Sequence, residues 1–176
     1  MDMEAQIPDE SRSSSLASEV WAQGLDLAID WVPFPNMKSR LRRLAREWQD
    51  EADTTALDTL ALVRWEVWEA ECGLAPHPEV AVARVNGRTC GVLSGYSHGG
   101  WRCFFVSHLA VAARPHPPLA PRVRQALLTA AIDRSIELGW HGWVACEPAE
   151  GEEKLWRELG FHKYDDFTYR RMGYFH

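Results

Sequence analysis

The stretch Cys103-Phe104-Phe105-Val106-Ser107-His108-Leu109-Ala110-Val111 decides the fold that the sequence predicts. Successive side chains of a β-strand point to opposite faces of the sheet. Here both alternating sets are largely apolar: Cys103, Phe105, Leu109 and Val111 in one, Phe104, Val106 and Ala110 in the other. That pattern is typical of a strand that protein covers on both faces, so residues 101–112 are predicted to form the middle of a sheet.

Two turn signals before this strand predict an antiparallel meander. Asn86-Gly87 separates Glu79–Val85 from residues 88–96, and His98-Gly99-Gly100 separates the latter from the central strand. Asn-Gly between alternating apolar runs favours a tight hairpin because both residues tolerate positive φ. Three consecutive antiparallel strands are therefore predicted at the centre of the sheet.

Helical periodicity predicts two helices before the meander. Residues 38–48 form a short basic amphipathic helix whose start is marked by Pro35 and Asn36. A second helix begins at the capping candidate Asp53, or at the threonines that follow it, and ends before Gly73. Three tryptophans of this region, Trp48, Trp65 and Trp68, are expected to lie mainly in the core, and an aromatic wall that recognises a substrate is the alternative.

The chain after the central strand predicts helix, strand, helix and strand. A helix over 123–138 starts near Pro121, carries Leu128, Ile132 and Ile136 in step, ends at Gly139 and packs on the central strand. Three further segments complete the order: a strand over 140–146, a helix over 151–159, and one or two strands over 161–174 with a turn near Asp165-Asp166.

Length and composition predict one domain. The chain has 176 residues, of which 46% are hydrophobic, so it can bury a substantial core. Residues 1–18 are serine-rich and lack apolar periodicity, which predicts a flexible N-terminal tail. Residues 19–176 are then a single α/β domain of the α+β type. The sequence indicates no oligomeric state.

The composition also excludes several classes of function. Cys72, Cys90, Cys103 and Cys146 form no C-x-x-C pair and no zinc pattern, so free, mostly buried thiols are expected. No apolar run reaches the roughly 20 residues of a membrane span, and the first residues do not resemble a signal peptide, so we expect a soluble cytoplasmic protein without a membrane partner. A net charge of -6 argues against nucleic acid as a partner.

Positive charge is nevertheless concentrated in the middle of the chain. Between Val80 and Ile132 there is no aspartate or glutamate but six arginines: Arg84, Arg88, Arg102, Arg114, Arg122 and Arg124. The last two fall in the predicted first turn of a helix, where the backbone dipole is already positive and would favour a bound phosphate. Alternatively, a central sheet excludes acids and these arginines pair with acidic residues outside the span.

The chain resembles the GCN5-related N-acetyltransferase (GNAT) superfamily over roughly residues 31–176. Four segments carry the resemblance: Leu109-Ala110-Val111, Ala126-Leu127-Leu128, Glu137-Leu138-Gly139-Trp140 and Trp156-Arg157-Glu158-Leu159-Gly160-Phe161. The resemblance implies a mixed, mostly antiparallel sheet flanked by helices. It also implies acetyl-CoA or another acyl-CoA as co-substrate, and a small-molecule or peptide amine as acceptor.

In such a protein the central strand splays from its neighbour, and its backbone N–H groups hold the thioester and the pantetheine arm. The resemblance assigns that role to Leu109, Ala110 and Val111. It assigns the pyrophosphate of coenzyme A to the start of the next helix, where five residues are candidates: Arg122, Val123, Arg124, Gln125 and Ala126.

Two family features are absent. Members usually carry two glycines at this helix start, whereas this chain has no glycine from Trp101 through Leu138. When the chain is aligned on Ala126-Leu127-Leu128, Arg122 and Arg124 occupy the two glycine positions. When it is aligned on the central strand instead, Leu119 and Pro121 occupy them. Trp156 stands where relatives place a tyrosine that reprotonates the departing thiolate, and an indole N–H is too weak an acid for this step.

Two residues are candidates for the base that takes a proton from the amine. His108 directly precedes the thioester-binding segment, although strand alternation could turn it to the other face, and a structural histidine is the alternative interpretation. Glu147 follows the strand predicted over 140–146, where a solvated loop carboxylate is the alternative. An acyl-cysteine on Cys103 or Cys146 is disfavoured because no basic residue is paired with either.

The function predicted from the sequence is acyl-CoA-dependent N-acyl transfer, with N-acetyl transfer as its simplest form and direct attack of the amine. Two alternatives stay open because of the missing glycines and tyrosine. One is a GNAT-fold binding protein that has lost catalysis, and the other is a GNAT-fold enzyme with different acyl-CoA chemistry.

Overall fold

The computed structural model describes residues 26–50, 52–112, 119–163 and 172–174. The predicted flexible tail of residues 1–18 lies outside these ranges, as do Arg114 and the predicted turn at Asp165-Asp166. The described chain forms these elements in order: β1 (Leu27–Val32), α1 (Phe34–Trp48), α2 (Thr54–Glu71), β2 (Glu79–Val85), β3 (Arg88–His98), β4 (Cys103–Val111), α3 (Ala120–Glu137), β5 (Val144–Cys146), α4 (Glu153–Glu158), β6 (His162–Lys163) and β7 (Met172–Tyr174). Within those ranges, no helix is long and apolar enough to cross a membrane.

The strands form one seven-stranded mixed sheet in the order β1-β2-β3-β4-β5-β7-β6. The four long strands β1 to β4 pair antiparallel, whereas the short strands β5, β7 and β6 add on in parallel. The Asn86-Gly87 turn has φ values of 49° and 80°, as the hairpin prediction requires. The predicted meander and the mostly antiparallel sheet are confirmed.

Two hydrophobic layers enclose the sheet. Helix α3 covers one face with four buried side chains: Val123, Leu127, Leu128 and Ala131. Helices α1 and α2 cover part of the other face with a second set: Leu41, Leu44, Trp48, Leu60 and Val63. β4 lies fourth among the seven strands and contributes side chains to both layers, which confirms the prediction of a central strand.

Helix α1 begins earlier than predicted, at Phe34 rather than at residue 38. Pro35 lies in its first turn, where a missing N–H costs nothing, instead of preceding the helix. At its other end Trp48 is fully buried, as predicted, and its Nε1 donates a hydrogen bond to the Thr89 carbonyl oxygen at 3.0 Å. That bond ties the end of α1 to the start of β3.

Helix α2 begins as predicted, with the Asp53 carboxylate accepting a hydrogen bond from the Ala56 N–H at 2.8 Å. The prediction that Trp65 and Trp68 lie in the core is wrong, since they are 56% and 43% exposed. The inward stripe is formed instead by the smaller side chains Ala56, Leu60, Val63, Val67 and Ala70. The two indoles flank that stripe and contact each other at 4.7 Å between ring centroids.

Helix α3 starts at Ala120 with Pro121 in its first turn, one residue before the start predicted at Pro121. Ile136, which was expected on the apolar face, is 57% exposed. Ser135 takes the inward position, and its hydroxyl donates to the Trp143 carbonyl oxygen at 2.7 Å. A buried hydroxyl is tolerated there because it has this partner.

The segment 140–146 is mostly turn, not strand. His141 and Gly142 adopt positive φ values of 56° and 80°, which reverses the chain and leaves only Val144–Cys146 for pairing. Helix α4 is likewise shorter than predicted.

Strand β1 was not predicted. It pairs with β2 from Leu27 opposite Val85 to Val32 opposite Val80 and so forms one edge of the sheet. Leu27, Ile29 and Trp31 alternate with smaller or polar residues, a signal that the nearby aspartates and prolines obscure.

Gly91 sets the distance between the sheet and α3, and this generates a test of the packing. A Cβ atom at position 91 would lie 2.6 Å from Val123 Cγ1 and 3.0 Å from Leu127 Cδ1. We expect Gly91→Ala to lower the free energy of unfolding by about 1–3 kcal/mol, because overpacking forces shifts in a filled core.

The measurement is urea unfolding followed by circular dichroism. Gly99→Ala is the control, because a Cβ atom there has open space and should change stability by less than about 0.5 kcal/mol. Equal stability of the two variants would contradict the close packing of α3 on β3.

Candidate functional site

Strands β4 and β5 pair over only three residues and then separate. Phe104, Phe105 and Val106 lie opposite Val144–Cys146 in parallel register. Beyond Val106, none of the described strands pairs with β4 on this edge, although β4 continues to Val111 alongside β3. A gap therefore opens between the two central strands toward the end where α3 begins.

A β-bulge at Ser107 accompanies this separation. His108 lies opposite Ser94 on β3, but Val106 lies opposite the next residue, Gly95, so Ser107 has no cross-strand partner. An extra residue of this kind bends the strand. Gly95 is required here because a Cβ atom would lie 2.4 Å from the Phe105 carbonyl oxygen.

The bulge also reverses which residues of β4 face α3. Phe104 and Val106 pack on the α3 side before it, and Leu109 and Val111 pack there after it. The strict alternation expected from the sequence therefore fails at Ser107. The Ser107 Oγ atom is buried and has no hydrogen-bond partner among the described residues.

The backbone of β4 beyond the bulge directs donors into the gap. The Ala112 N–H donates to the Cys90 carbonyl oxygen on β3 at 2.9 Å. Because N–H groups alternate between the two edges of a strand, those of Val111 and Leu109 point to the opposite edge. The N–H of Ala110, the third predicted residue, points back to β3, and its side chain lies in the core under α1 and α2.

The N-terminus of α3 has no side-chain cap and no acidic residue in its first turn. Such an end presents backbone N–H groups and a partial positive charge. Arg122 is exposed and Arg124 is half-buried. In the described part of the chain, no carboxylate lies within ion-pair distance of either guanidinium group.

Arg122 and Arg124 lie on opposite flanks of α3. Val123, between them, is 1% exposed and faces the sheet. Arg122 lines a cleft of about 450 Å³ together with Gln125, Ala126 and residues of β1 and β2. Residues two positions apart in a helix differ by about 200° around its axis. Since Arg122 lies on the flank beside β1 and β2, Arg124 lies on the flank beside β4 and β5. The structure therefore separates residues that the sequence assigned to one phosphate site.

His108 contacts a carboxylate that sequence analysis missed. Its Nε2 atom lies 3.4 Å from Glu66 Oε1 on α2, and Glu66 Oε2 accepts a hydrogen bond from the Ser94 hydroxyl at 2.8 Å. The side chains of His108 and Glu66 remain 24% and 26% exposed, so a ligand can reach them. His108 thus lies on the face opposite α3. The sequence alone left open on which face of the sheet it would lie.

In the sequence, Glu66 lies between Val63 and Val67 of the inward stripe of α2. This position is the only indication in the sequence that its carboxylate has a functional role. A carboxylate beside such a stripe stays partly buried and needs a polar partner.

Glu147 lies directly after β5 and is exposed, without a hydrogen bond to His108. It shares a neighbour with Glu66, however. Burial raises the pKa of Tyr96, and the negative charge of Glu66 and, more weakly, of Cys103 and Glu147 raises that pKa further. Tyr96 also packs on Phe105 at 5.3 Å between ring centroids. The part of this face around His108 and Tyr96 is therefore both aromatic and acidic.

Three other residues, His98, Trp156 and Cys103, have structural roles. His98 stacks on Trp101 at 4.1 Å, and its Nδ1 accepts a hydrogen bond from the Trp101 N–H, which shapes the turn between β3 and β4. Trp156 is 4% exposed and packs edge-on against Phe161. Burial raises the pKa of Cys103 to about 11, so its reactive thiolate form is scarce at neutral pH.

Part of the central positive charge is paired. Arg84 binds Asp30 on β1 at 2.6 Å, and Arg102 lies over the Trp140 ring at 5.9 Å. Arg84 thus pairs with an acid outside the stretch from Val80 to Ile132, as the alternative interpretation predicted. Arg122 and Arg124 do not pair with any acid of the described residues. No group of residues within the described ranges could hold a metal ion.

Comparisons with known proteins bear on the fold. No protein-family model and no curated protein matches the sequence. Among solved structures, the chain is similar to a ribosomal-protein-alanine N-acetyltransferase from Brucella melitensis biovar Abortus 2308, with 18% identity, a TM-score of 0.50, and coverage of 80% of this chain and 93% of that one. It is also similar to the YycN protein of Bacillus subtilis, with 16% identity, a TM-score of 0.50, and coverage of 80% and 94%.

Identities this low establish a common fold rather than a common reaction. The similarity covers most of each neighbour. The fold of this chain is therefore that of the GCN5-related N-acetyltransferase superfamily.

Proposed function

We propose that this protein is an acyl-CoA-dependent N-acyltransferase, most simply an N-acetyltransferase, in which an amine attacks the thioester directly. The observation that carries the proposal is the separation of β4 from β5 after Val106, beside the uncapped N-terminus of α3. A gap with backbone donors at one end and a positive helix terminus nearby suits a thioester joined to a diphosphate.

The thioester carbonyl would accept hydrogen bonds from the N–H groups of Leu109 and Val111. Donors fixed by the strand need no reorganisation when negative charge develops on the carbonyl oxygen. The Ser107 hydroxyl, buried without a partner among the described residues, fits as a further donor to the acyl or pantetheine group. These residues supply positioning and polarisation without a side-chain nucleophile.

The diphosphate would bind at the N-terminus of α3 with Arg124. A guanidinium group forms charge-assisted, bidentate hydrogen bonds to phosphate, so it can replace the amide contacts that glycines allow in relatives. Arg124 is preferred to Arg122 because it lies on the flank of α3 that faces β4 and β5. Arg122 lies beside the cleft on the other flank.

The amine would approach on the face that holds His108. The amine nitrogen forms a bond to the carbonyl carbon, the carbon–sulfur bond breaks, and the thiolate leaves. His108 takes the proton from the nitrogen, Glu66 holds the imidazole in place, and water protonates the thiolate. The negative charges of Glu66 and Glu147 favour an acceptor that arrives as an ammonium cation, which loses one proton to solvent before its nitrogen attacks.

A second candidate, a GNAT-fold binding protein without catalysis, rests on Trp156. This side chain is buried against Phe161 and cannot act as the acid that relatives place there. Binding and turnover separate the two candidates, and the following experiments measure both.

Coenzyme A binding tests the assignment of the phosphate site. We expect Arg124→Glu to weaken acetyl-CoA binding by about tenfold or more in isothermal titration calorimetry, since a charged hydrogen bond is replaced by repulsion. Arg122→Glu makes the same charge change on the opposite flank and should weaken binding by less than about threefold. Equal losses in the two variants, or no binding by the unmodified protein, would contradict the assignment.

Measurements of turnover test the assignment of His108 as the base that takes the proton from the amine. We expect His108→Gln to lower kcat by about 100-fold with acetyl-CoA binding unchanged, measured as thiol release over a panel of primary amines and peptides. Glu66→Gln should lower kcat and shift its pH profile, because the carboxylate orients the imidazole. Glu69→Gln on the same helix is the matched control. Thiol release that depends on an amine but is unaffected by His108→Gln would assign the base elsewhere.

A further inference from the structure

A second cleft lies on the face of the sheet opposite α3. It has a volume of about 700 Å³ and runs between α1 and the end of the β2–β3 hairpin. Five arginines line it: Arg40, Arg43 and Arg46 from α1, Arg84 from β2 and Arg88 from β3. Neither the sequence resemblance nor the proposed acyl-transfer site assigns any role to this cleft.

The lining carries excess positive charge in a chain whose net charge is -6. Among the described residues that line the cleft, Glu47 and Asp50 are the only carboxylates. Just outside it, Asp30 binds Arg84 at 2.6 Å and lies 3.9 Å from Arg40. Arg40, Arg43, Arg46 and Arg84 outnumber these three acids, so positive charge remains after pairing among these residues.

Two of the arginines on α1 are available to a ligand. Arg43 lies 3.8 Å from Glu47, but both side chains are largely exposed, at 62% and 49%, so this ion pair is weak. Arg46 is exposed, and no carboxylate of the described residues lies within ion-pair distance of it. A ligand with more negative charge than the Glu47 carboxylate could therefore bind Arg43 and Arg46 without breaking a strong ion pair.

The walls of the cleft are held in place before any ligand binds. The hydrogen bond from Trp48 Nε1 to the Thr89 carbonyl oxygen fixes α1 against β3. The ion pair with Asp30 fixes Arg84 on β2. Leu44 and Val82, both buried, line the base of the cleft. Fixed walls lower the entropic cost of binding.

We propose that this cleft binds a small ligand that carries two or more phosphate groups. Guanidinium groups match phosphate oxygens in geometry and charge, and several of them converge here on a volume of small-molecule size. The apolar face of α1 is buried in the core, which leaves it no surface to insert into a membrane. The acidic net charge disfavours a long nucleic acid.

Calorimetric titration of the full chain with inorganic tripolyphosphate at physiological salt tests the proposal. We expect saturable binding of one ligand per chain, weakened about tenfold or more by Arg43→Glu and by Arg46→Glu. Arg42→Glu is the matched control, because Arg42 is equally exposed on α1 but lines a different groove, between α1 and α2. It should weaken binding by less than about threefold. Thermal melting verifies that each variant is folded.

Several results would overturn the proposal. One is the absence of saturable binding at millimolar tripolyphosphate, and another is an equal loss with Arg42→Glu, which would indicate a diffuse electrostatic effect. Binding that is lost with Arg124→Glu but kept with Arg43→Glu and Arg46→Glu would assign the ligand to the N-terminus of α3. A short single-stranded RNA bound more than tenfold more tightly would indicate a nucleic-acid surface. Since separate variants test the two sites, either proposal can fail alone.

Discussion

The extra residue in β4 is the constraint on which the rest of the candidate site depends. Ser107 has no partner on β3, and β4 leaves β5 directly before it. The same offset keeps Leu109 and Val111 in the core under α3 while their N–H groups point into the gap. It also places His108 on the opposite face, beside Glu66. One local irregularity thus creates the gap, orients its donors and positions the candidate base.

The candidate site keeps opposite charges apart. The surface around Tyr96, Glu66 and Glu147 is acidic and aromatic, whereas the end where α3 begins holds Arg122 and Arg124, which pair with no carboxylate of the described residues. A reaction between a cationic amine and an anionic thioester conjugate would draw its two substrates from these two regions. Electrostatic attraction of that kind raises local substrate concentration and association rate, and it weakens with added salt.

The sequence predicted the elements whose signals are local. The Asn86-Gly87 hairpin, the Asp53 cap and the two-sided apolar pattern of β4 each depend on residues close together in the chain. The misplacement of Trp65 shows where such reasoning fails, because a large apolar side chain does not reveal which side of a helix faces the sheet. The bulge at Ser107 and the contact of Glu66 with His108 depend on register between distant segments, which one sequence does not specify.

Even-numbered residues of β4 face α3 before the bulge and odd-numbered residues face it after the bulge. This reversal bears on how the chain can change during evolution. Conservative substitutions within either half alter one contact each. Loss of Ser107 would instead restore the two-residue repeat while every remaining residue kept its face, because Val106, His108 and Leu109 already alternate once Ser107 is removed. The apolar layers would survive, but the bend that accompanies the separation of β4 from β5 would be lost. A single deletion could therefore remove the gap without removing the fold.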